Sequence, residues 1–250
     1  MSTEGPVATM TRFEGARAVV VGGGIAGLLA AAALSEGFEH VQVVDKDRLP
    51  ENPEPRKYVP QGAHVHGILK GGEERIESLL PGMRAALLAA GGVPVRSGLD
   101  GRHYDSGEWL PRIDLGVTQH TQSRALFEHV IRAKLNERAN VRIRDCTKVL
   151  EYTLKGEAVT GVVFERGGVR RTAACDLVVD ATGRGNRMPH WLQRCGFGCV
   201  ERSVCEMDIC YVTGIFDKTP QWTGRRESRV LRPRPPDTRS GTLIPIEGDR

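Results

Sequence analysis

The sequence predicts an α/β fold, with a parallel sheet opened by a β-α-β unit, a β-meander, and the start of a mixed β-sheet. An apolar run ending at Val21 leads into three glycines at G-x-G-x-x-G spacing, followed by a helical pattern. After residue 141 the hydrophobic period changes from that of a helix to two, which is typical of strands. A further apolar run, DLVVDATG over 176–183, ends in an acid and a glycine turn.

Each glycine of the motif has a physical task. Gly22 permits a tight turn, Gly24 lets the backbone approach a pyrophosphate, and Gly27 lets the helix pack closely on the strand. The phosphates would lie at the helix N-terminus, where free amides and the helix dipole favour an anion. The strand, glycine loop and helix together predict a Rossmann-type unit that binds a dinucleotide. A purely structural glycine turn is the alternative.

An acid ends the second strand of this unit. Asp45 follows the apolar run VQVV, where it would accept hydrogen bonds from a ribose 2′-hydroxyl and repel a 2′-phosphate. The predicted nucleotide-binding set also includes Ile25 and Ala26, between the glycines, and Lys46, next to the acid.

Composition excludes several classes of protein. The 250 residues carry a net charge of +4 with dispersed basic residues, which does not indicate nucleic-acid binding. No apolar run is long enough to span a membrane, and the N-terminus lacks the pattern of a secretory signal, so the expected location is cytoplasmic. The basic stretch 225–239 is expected to be an exposed loop, with a binding surface as the alternative.

Six cysteines are expected to be reduced, buried thiols. Their spacing lacks the paired C-x2-C of a zinc ribbon, so no metal site is predicted. Cys205 and Cys210 fall in a strand-like run, where they would face opposite sides of a sheet. The alternating pattern MDICYVTGIFD over 207–217 predicts a strand that opens a further sheet.

Other elements follow from periodicity and turn signals. Residues 71–90 predict a helix in two pieces, broken at Pro81-Gly82. An amphipathic helix is predicted from Ser123, a good N-cap, to about Arg138. A shorter helix is expected over 186–194 and a last strand over 241–247.

The order of motifs resembles that of FAD-dependent oxidoreductases of the para-hydroxybenzoate hydroxylase type. The closest likeness is to bacterial flavoprotein epoxidases and hydroxylases of polyketide pathways, with squalene epoxidase, flavin halogenases and geranylgeranyl reductases as relatives. A plain NAD dehydrogenase fits less well, because a simple Rossmann domain has no place for the β-meander and the DATG strand. The strings that carry the resemblance are RAVVVGGGIAGLLAAAAL, VPQGAHVHGIL, TQSRALFEHVIRAKL, NVRIRD and DLVVDATGRGNRMPHWL.

The resemblance implies roles at matching positions. The glycine loop would hold the FAD pyrophosphate and Asp45 the adenosine ribose. Arg124, at the start of the SRALFEHVI helix, would contact FAD, with a first-turn surface residue as the alternative. Val149 would bring backbone near the adenine, and Asp180 and Gly183 would close the turn beside FAD.

His64 and His66 lie in a stretch that is near the flavin in similar proteins. Both would point the same way from an extended segment. Contact with flavin or substrate, or with each other, and a surface or structural role all stay open.

The resemblance implies a division into domains. Residues 1–15 are expected to be a disordered leader and 16–200 an FAD-binding Rossmann-like domain. An irregular insert at about 46–121 would contribute partly to the substrate side. Residues 201–250 would be an incomplete substrate-domain sheet.

Two departures from the family pattern stand out. The aromatic hydroxylases carry D-G-x-x-S-x-x-R, whereas this chain has TGRGNRMP, with Thr182 in place of the acid and Pro189 in place of the arginine. Electrons could then come from NAD(P)H or from a separate flavin reductase. The late Gly-Asp motif of the family has one candidate, Gly248-Asp249, with no room for a following helix. The chain is therefore expected to stop midway through the substrate domain, as a fragment, half of a split enzyme or a degraded gene.

The resemblance implies an FAD-dependent monooxygenase, an epoxidase or hydroxylase, acting on an apolar polyketide- or isoprenoid-like small molecule. Reduced flavin would react with O₂ to a C4a-hydroperoxide, and the protein would position the cofactor and exclude water. No side chain is assigned as a catalytic acid or base. The alternatives are a geranylgeranyl-reductase-like reductase of C=C bonds and a non-catalytic FAD-binding fragment that works with a complementing chain.

Overall fold

A computed structural model describes residues 15–64 and 66–250. The expected leader lies outside the described residues except for Gly15, which already begins a strand. The described chain forms two compact units: residues 15–48 with 135–198, and residues 49–134 with 199–250. The predicted insert over 46–121 falls largely within the second unit. The functional division into domains stays a prediction.

The first unit contains a four-stranded parallel sheet in the order β11-β1-β2-β7. β1 lies centrally because its run of residues 18–21 is buried and pairs with a strand on each side. This confirms the predicted β-α-β unit, and the DATG strand lies in the same sheet. The elements are β1 (Gly15–Val21), α1 (Ile25–Leu34), β2 (Phe38–Val44), β7 (Val141–Arg144) and β11 (Leu177–Asp180).

A three-stranded antiparallel meander, in the order β10-β9-β8, connects β7 to β11. Val162 and Phe164 on its central strand pack with Val19, Val21 and Val44 into one buried apolar cluster. The meander is therefore held by burial of apolar surface, as its alternating sequence predicts. Its strands are β8 (Lys148–Lys155), β9 (Ala158–Arg166) and β10 (Val169–Ala174); after β11 come a 3₁₀ turn (Gly183–Gly185) and α5 (Met188–Arg194).

The second unit contains the helices of the middle of the chain. The predicted break at Pro81-Gly82 separates α2 (Lys70–Leu79) from α3 (Met83–Ala89). The amphipathic helix is α4 (Arg124–Asn136), most of which belongs to this unit. Ser123 Oγ accepts a hydrogen bond from the Leu126 amide at 3.1 Å, which confirms the predicted N-cap.

Two small sheets complete this unit. One has the order β13-β12-β4-β5 and mixes parallel and antiparallel pairs; the other pairs β3 with β6. The predicted loop over 225–239 is wrong in part, because β12 lies within it and pairs in parallel with β4. The remaining strands are β3 (Val93–Arg96), β4 (Gly101–Asp105), β5 (Glu108–Trp109), β6 (Thr118–Thr121), β12 (Ser228–Leu231) and β13 (Gly241–Leu243); short 3₁₀ turns span Pro60–Ala63 and Pro220–Trp222.

The strand predicted over 207–217 is wrong. This segment has no regular secondary structure, and most of its large apolar side chains are exposed, Val212 at 98% and Phe216 at 74%. An alternating pattern forms a strand only where another strand meets its backbone, and no strand of the described chain pairs with it.

The expectation of buried thiols is also wrong for most of the cysteines. Only Cys175 is buried, and Cys195 is half-buried. The four that are exposed are Cys146, Cys199, Cys205 and Cys210. Cys205 and Cys210 are exposed because the strand that would have buried one of them is not formed.

No helix among the described residues is both long and apolar enough to cross a membrane.

The approach of helix α1 to the glycine loop leaves no room for a side chain at Gly27. A Cβ at Gly27 would lie 1.8 Å from the carbonyl oxygen of Gly22 and 3.3 Å from Val20 Cγ1. The closest neighbour is backbone, which cannot move aside as the end of a flexible side chain can. The close helix–strand packing predicted from Gly27 is thus present.

Gly27→Ala should lower the free energy of unfolding by roughly 3 kcal/mol or more, because the added methyl overpacks a backbone contact. Gly24→Ala is the matched control. It places a Cβ where no atom lies within 4 Å, and should change stability by less than about 0.5 kcal/mol. Urea unfolding followed by circular dichroism measures both. Equal effects of the two substitutions would contradict the close contact.

Cys175 should resist alkylation in the folded protein. Burial, and then the charge of Asp176, raise the pKa of its thiol to about 11, so little thiolate exists at pH 8. Iodoacetamide should modify Cys175 about 100-fold more slowly than the exposed Cys199, as read by peptide mass spectrometry. In urea the two rates should converge. Equal rates in the native protein would show that Cys175 is not enclosed.

Candidate nucleotide-binding site

The glycine loop between β1 and α1 leaves an open backbone surface. Gly22 has φ +111°, and a Cβ there would lie 2.5 Å from the Ala181 carbonyl oxygen, so the loop lies against the turn that follows β11. Gly24 is the extended N-cap of α1, and a Cβ at this position would meet no atom within 4 Å. Space above Gly24 is what a ligand needs to approach the backbone, as the motif predicts.

The N-terminus of α1 has no anion of its own. No side chain caps it, and its first turn contains no acidic residue. Leu28 is the first residue whose amide bonds to Gly24, so the amides of Ile25, Ala26 and Gly27 have no intrahelical acceptor. These donors, together with the positive end of the helix dipole, suit a phosphate group.

Asp45 is buried at the end of β2 and is bonded to the glycine loop. Its Oδ2 accepts a hydrogen bond from the Gly23 amide at 2.7 Å, and its Oδ1 accepts one from the Asp47 amide at 2.8 Å. The carboxylate therefore fixes the loop to the end of β2. Ribose binding by Asp45 stays a prediction. Lys46, beside it, is exposed.

Asp180, at the end of β11, organises the turn that faces the glycine loop. Its Oδ1 accepts hydrogen bonds from the amide and the hydroxyl of Thr182, at 2.9 and 2.6 Å. Its Oδ2 accepts one from the hydroxyl of Tyr152 on β8, at 2.6 Å. Asp180 thus holds the turn that continues to Gly183, and the place of this turn beside FAD stays a prediction.

Tyr152 is a residue that the sequence reasoning missed. Burial raises the pKa of its phenol above the usual range, and the hydrogen bond to Asp180 and the Asp180 charge add to the rise. The phenol therefore stays neutral and can donate. Its ring also packs edge-on against Trp191, with 5.1 Å between ring centroids. The Tyr-x-Leu alternation of β8 predicts a strand, but nothing in the sequence indicates that Tyr152 bonds to Asp180, 28 residues away.

Val149 lies at an irregular point of β8, where the register with β9 shifts between Val149 and Glu151. Its half-buried side chain packs against the apolar cluster of the first unit. The role implied for its backbone stays a prediction.

Arg124 belongs to the second unit, where it lines a cleft at the start of α4. Its Nε is buried and has no hydrogen-bond partner in the described chain. Glu128, one turn later, accepts hydrogen bonds at Oε1 from Arg56 at 3.3 Å and from Arg132 at 3.2 Å. The i,i+4 spacing of Glu128 and Arg132 on one helix indicates their ion pair in the sequence. Nothing in the sequence indicates that Arg56, in a loop 72 residues away, bonds to Glu128.

The two histidine rings have different hydrogen-bond partners, and the partner of the His66 ring is the backbone of His64. His64 Nδ1 lies 3.0 Å from Thr213 Oγ1, and His66 Nδ1 lies 2.8 Å from the His64 carbonyl oxygen. Val65, between them, lies outside the described residues. Both rings therefore take part in polar contacts within the second unit, which agrees with a structural role.

A second buried polar cluster was not predicted. Glu73 on α2 accepts a hydrogen bond from Arg84 Nε on α3 at 2.6 Å, and its Oε1 lies 3.1 Å from His120 Nδ1 on β6. Burial raises the pKa of Glu73, but the hydrogen bond from Arg84, the close approach of His120 and the charge of Lys70 outweigh this effect, and the net shift is downward. The carboxylate ties three elements of the second unit together.

No group of three or more metal-ligating side chains occurs within residues 15–64 and 66–250. The glycine loop of the first unit offers backbone amides and a helix terminus. Such an arrangement suits an anionic group.

Comparison with known proteins agrees with this geometry. Residues 20–65 match the family described as NAD(P)-binding Rossmann-like domain. Protein Rv3254 of Mycobacterium tuberculosis (strain ATCC 25618 / H37Rv) is 33% identical over 214 residues, which cover 80% of this chain and 44% of that protein. This chain thus spans less than half the length of the curated relative that it matches.

Solved structures extend the comparison to nearly the whole chain. PqsL, a probable FAD-dependent monooxygenase from Pseudomonas aeruginosa, is 17% identical with a TM-score of 0.65, over 94% of this chain and 58% of that one. The flavin-dependent brominase Bmp2 is 18% identical with a TM-score of 0.57, over 93% and 53%. The predicted resemblance is therefore confirmed at the level of the fold, and the chain has the α/β fold of FAD-dependent monooxygenases and flavin-dependent halogenases.

Proposed function

We propose that this chain binds FAD and forms the cofactor-binding part of a flavin-dependent monooxygenase. The observation that carries the proposal is the open backbone at Gly24, at the start of a helix that has no acid in its first turn. The fold shared with PqsL and Bmp2, whose names state flavin dependence, supports FAD over a nicotinamide dinucleotide.

The residues present fit the cofactor. The loop from Gly22 to Gly27 would hold a pyrophosphate on its amides, and no Cβ obstructs the approach at Gly24. Asp45 keeps the loop in place through the Gly23 amide. Asp180, bonded to Tyr152 and Thr182, would keep the neighbouring turn closed.

The bound FAD would supply the electron transfer and the oxygen chemistry. The chain would supply binding and orientation, because its glycine loop provides hydrogen-bond donors without a titrating group. The substrate proposed is an apolar polyketide- or isoprenoid-like small molecule, oxidised by epoxidation or hydroxylation with O₂. Electrons would come from NAD(P)H or a separate reductase. Reduction of a C=C bond is the alternative, and product analysis without oxygen distinguishes it.

One observation favours a second candidate, an FAD-binding chain that becomes active only with further polypeptide. The segment 207–217 has the pattern of a strand, yet its apolar side chains are exposed. Exposed apolar surface of this kind commonly marks a surface for another protein segment. Oxygen consumption by the FAD-loaded chain, with NADPH and a flavin reductase both supplied and the reductase's own consumption subtracted, separates the two candidates. Turnover supports the complete enzyme, and FAD binding without turnover supports the second.

FAD titration of the purified chain tests the proposal. Wild-type protein should quench flavin fluorescence and keep the flavin absorbance bands after desalting. Gly24→Val should weaken binding by about tenfold or more, because its side chain would occupy the space that the pyrophosphate needs. Its thermal unfolding should stay unchanged, since the site is open and the backbone extended.

Gly71→Val is the matched control, since a Cβ at Gly71 also meets no atom within 4 Å but lies on α2. It should bind FAD as the wild type does. A wild-type chain without FAD affinity would overturn the proposal, and so would a Gly24→Val variant with unchanged affinity.

A further inference from the structure

The mixed sheet of the second unit carries two arginines side by side on neighbouring strands. Arg102 on β4 and Arg229 on β12 are partners in the parallel register of these strands, so both side chains leave the same face of the sheet. Two like charges in such neighbouring positions repel each other. The groups that surround them therefore decide what this face of the sheet can bind.

Two indole rings lie against these arginines. The guanidinium carbon of Arg102 lies 4.9 Å from the ring centroid of Trp109 on β5, and that of Arg229 lies 6.0 Å from the same centroid. The ring of Trp222 has Arg229 at 4.9 Å and Arg225 at 5.1 Å. Each contact has the geometry of a cation–π interaction. We call this continuous arrangement the Arg-Trp stack; its members are Arg102, Trp109, Arg229, Trp222 and Arg225.

Positive charge is in excess around the Arg-Trp stack. Glu227 accepts hydrogen bonds from Nε of Arg229 at 2.7 Å and from Nη2 of Arg112 at 3.2 Å, so two arginines share this carboxylate. Among the residues that the structure describes, the side chains of Arg102 and Arg225 pair with no carboxylate. The Nε of Arg102 is buried and has no hydrogen-bond partner there. Two guanidinium groups of the stack thus have donors for an anion from outside.

The Arg-Trp stack is open to solvent. Trp109 is 41% exposed, and Arg225 is exposed as well. A guanidinium stacked on a ring uses its flat face there and keeps its in-plane N–H groups for a carboxylate. Arginine and tryptophan are also the residue types that contribute most to protein interfaces, and side chains already held in place lose less entropy on binding. The basic stretch 225–239, for which a binding surface was one alternative, supplies two arginines of the stack.

We propose that the Arg-Trp stack is a docking surface for a separate protein with an acidic surface, whose carboxylates bind Arg102 and Arg225. A nucleic acid fits less well, because its bases stack on free aromatic faces, and Trp109 and Trp222 already have guanidinium groups over their rings. A second copy of this chain fits less well too, because it would bring the same excess of positive charge to the interface. The docking surface lies within the second unit and does not require bound FAD.

Fluorescence anisotropy of a labelled oligo-glutamate peptide tests the docking surface. The wild-type chain should bind the peptide, and binding should weaken as salt is added, because the charges are exposed. The double variant Arg102→Gln, Arg225→Gln should bind the peptide about tenfold more weakly, since it removes both arginines that have no carboxylate partner. It leaves the ion pairs of Glu227 in place and should keep the wild-type circular dichroism spectrum. A folded wild-type chain without affinity for the peptide would overturn the proposal.

The double variant Arg170→Gln, Arg171→Gln is the matched control. It removes the same charge from two exposed positions on β10 of the first unit, where Arg170 forms only a long ion pair with Glu165, at 3.9 Å. It should bind the peptide as the wild type does. An equal loss of affinity in both double variants would mean that net charge alone attracts the peptide, and the proposal would be wrong. Arg225→Gln alone, at an exposed position, should lower the affinity about threefold and serves if the first double variant does not fold.

Two further measurements distinguish the acidic protein from other occupants of the Arg-Trp stack. An oligo-deoxythymidylate that carries the same charge as the peptide should bind more weakly than the peptide does. Tighter binding of this oligonucleotide, lost in the Arg102→Gln, Arg225→Gln variant, would assign the surface to a nucleic acid instead. Analytical ultracentrifugation should give the same sedimentation for this variant and the wild type. Self-association of the wild type that the variant abolishes would assign the surface to a second copy and overturn the proposal.

Discussion

The backbone contact between Gly27 and the Gly22 carbonyl oxygen is the constraint on which the first unit depends. It sets how close α1 comes to the end of β1, and so where the first amides of the helix point. Asp45 holds the same loop from the side of β2, through the Gly23 amide. Helix packing and the proposed anion binding thus depend on one geometry, and the glycines that permit the fold also expose the amides.

The turn after β11 shows how a second element is matched to this loop. Asp180 takes three hydrogen bonds, two from Thr182 and one from Tyr152 on the meander. Burial keeps the pKa of Tyr152 high, so its phenol stays neutral and donates a hydrogen bond to the Asp180 carboxylate. The meander therefore does more than connect two strands of the parallel sheet, since it supplies the donor that steadies the turn against which Gly22 lies.

In the second unit, ion pairs compensate the charge of two buried carboxylates. Glu73 and Glu128 are both buried carboxylates, and each accepts from side chains on other elements. A buried carboxylate without a partner would destabilise the fold. The cationic partners of Glu73 and Glu128 compensate the charge, so these carboxylates connect helix, loop and strand. Exposed apolar residues around 207–217 form the opposite case, apolar surface without a strand to cover it.

The sequence by itself determined the local features of this protein. Spacing and periodicity place the glycine loop, the acid after β2, the break at Pro81-Gly82 and the cap at Ser123, because each depends on residues a few positions apart. Only the tertiary structure decided which distant groups meet, such as Tyr152 with Asp180 and Arg56 with Glu128. It also decided against the strand over 207–217 and left most cysteines exposed, because a strand forms only where another backbone satisfies its hydrogen bonds.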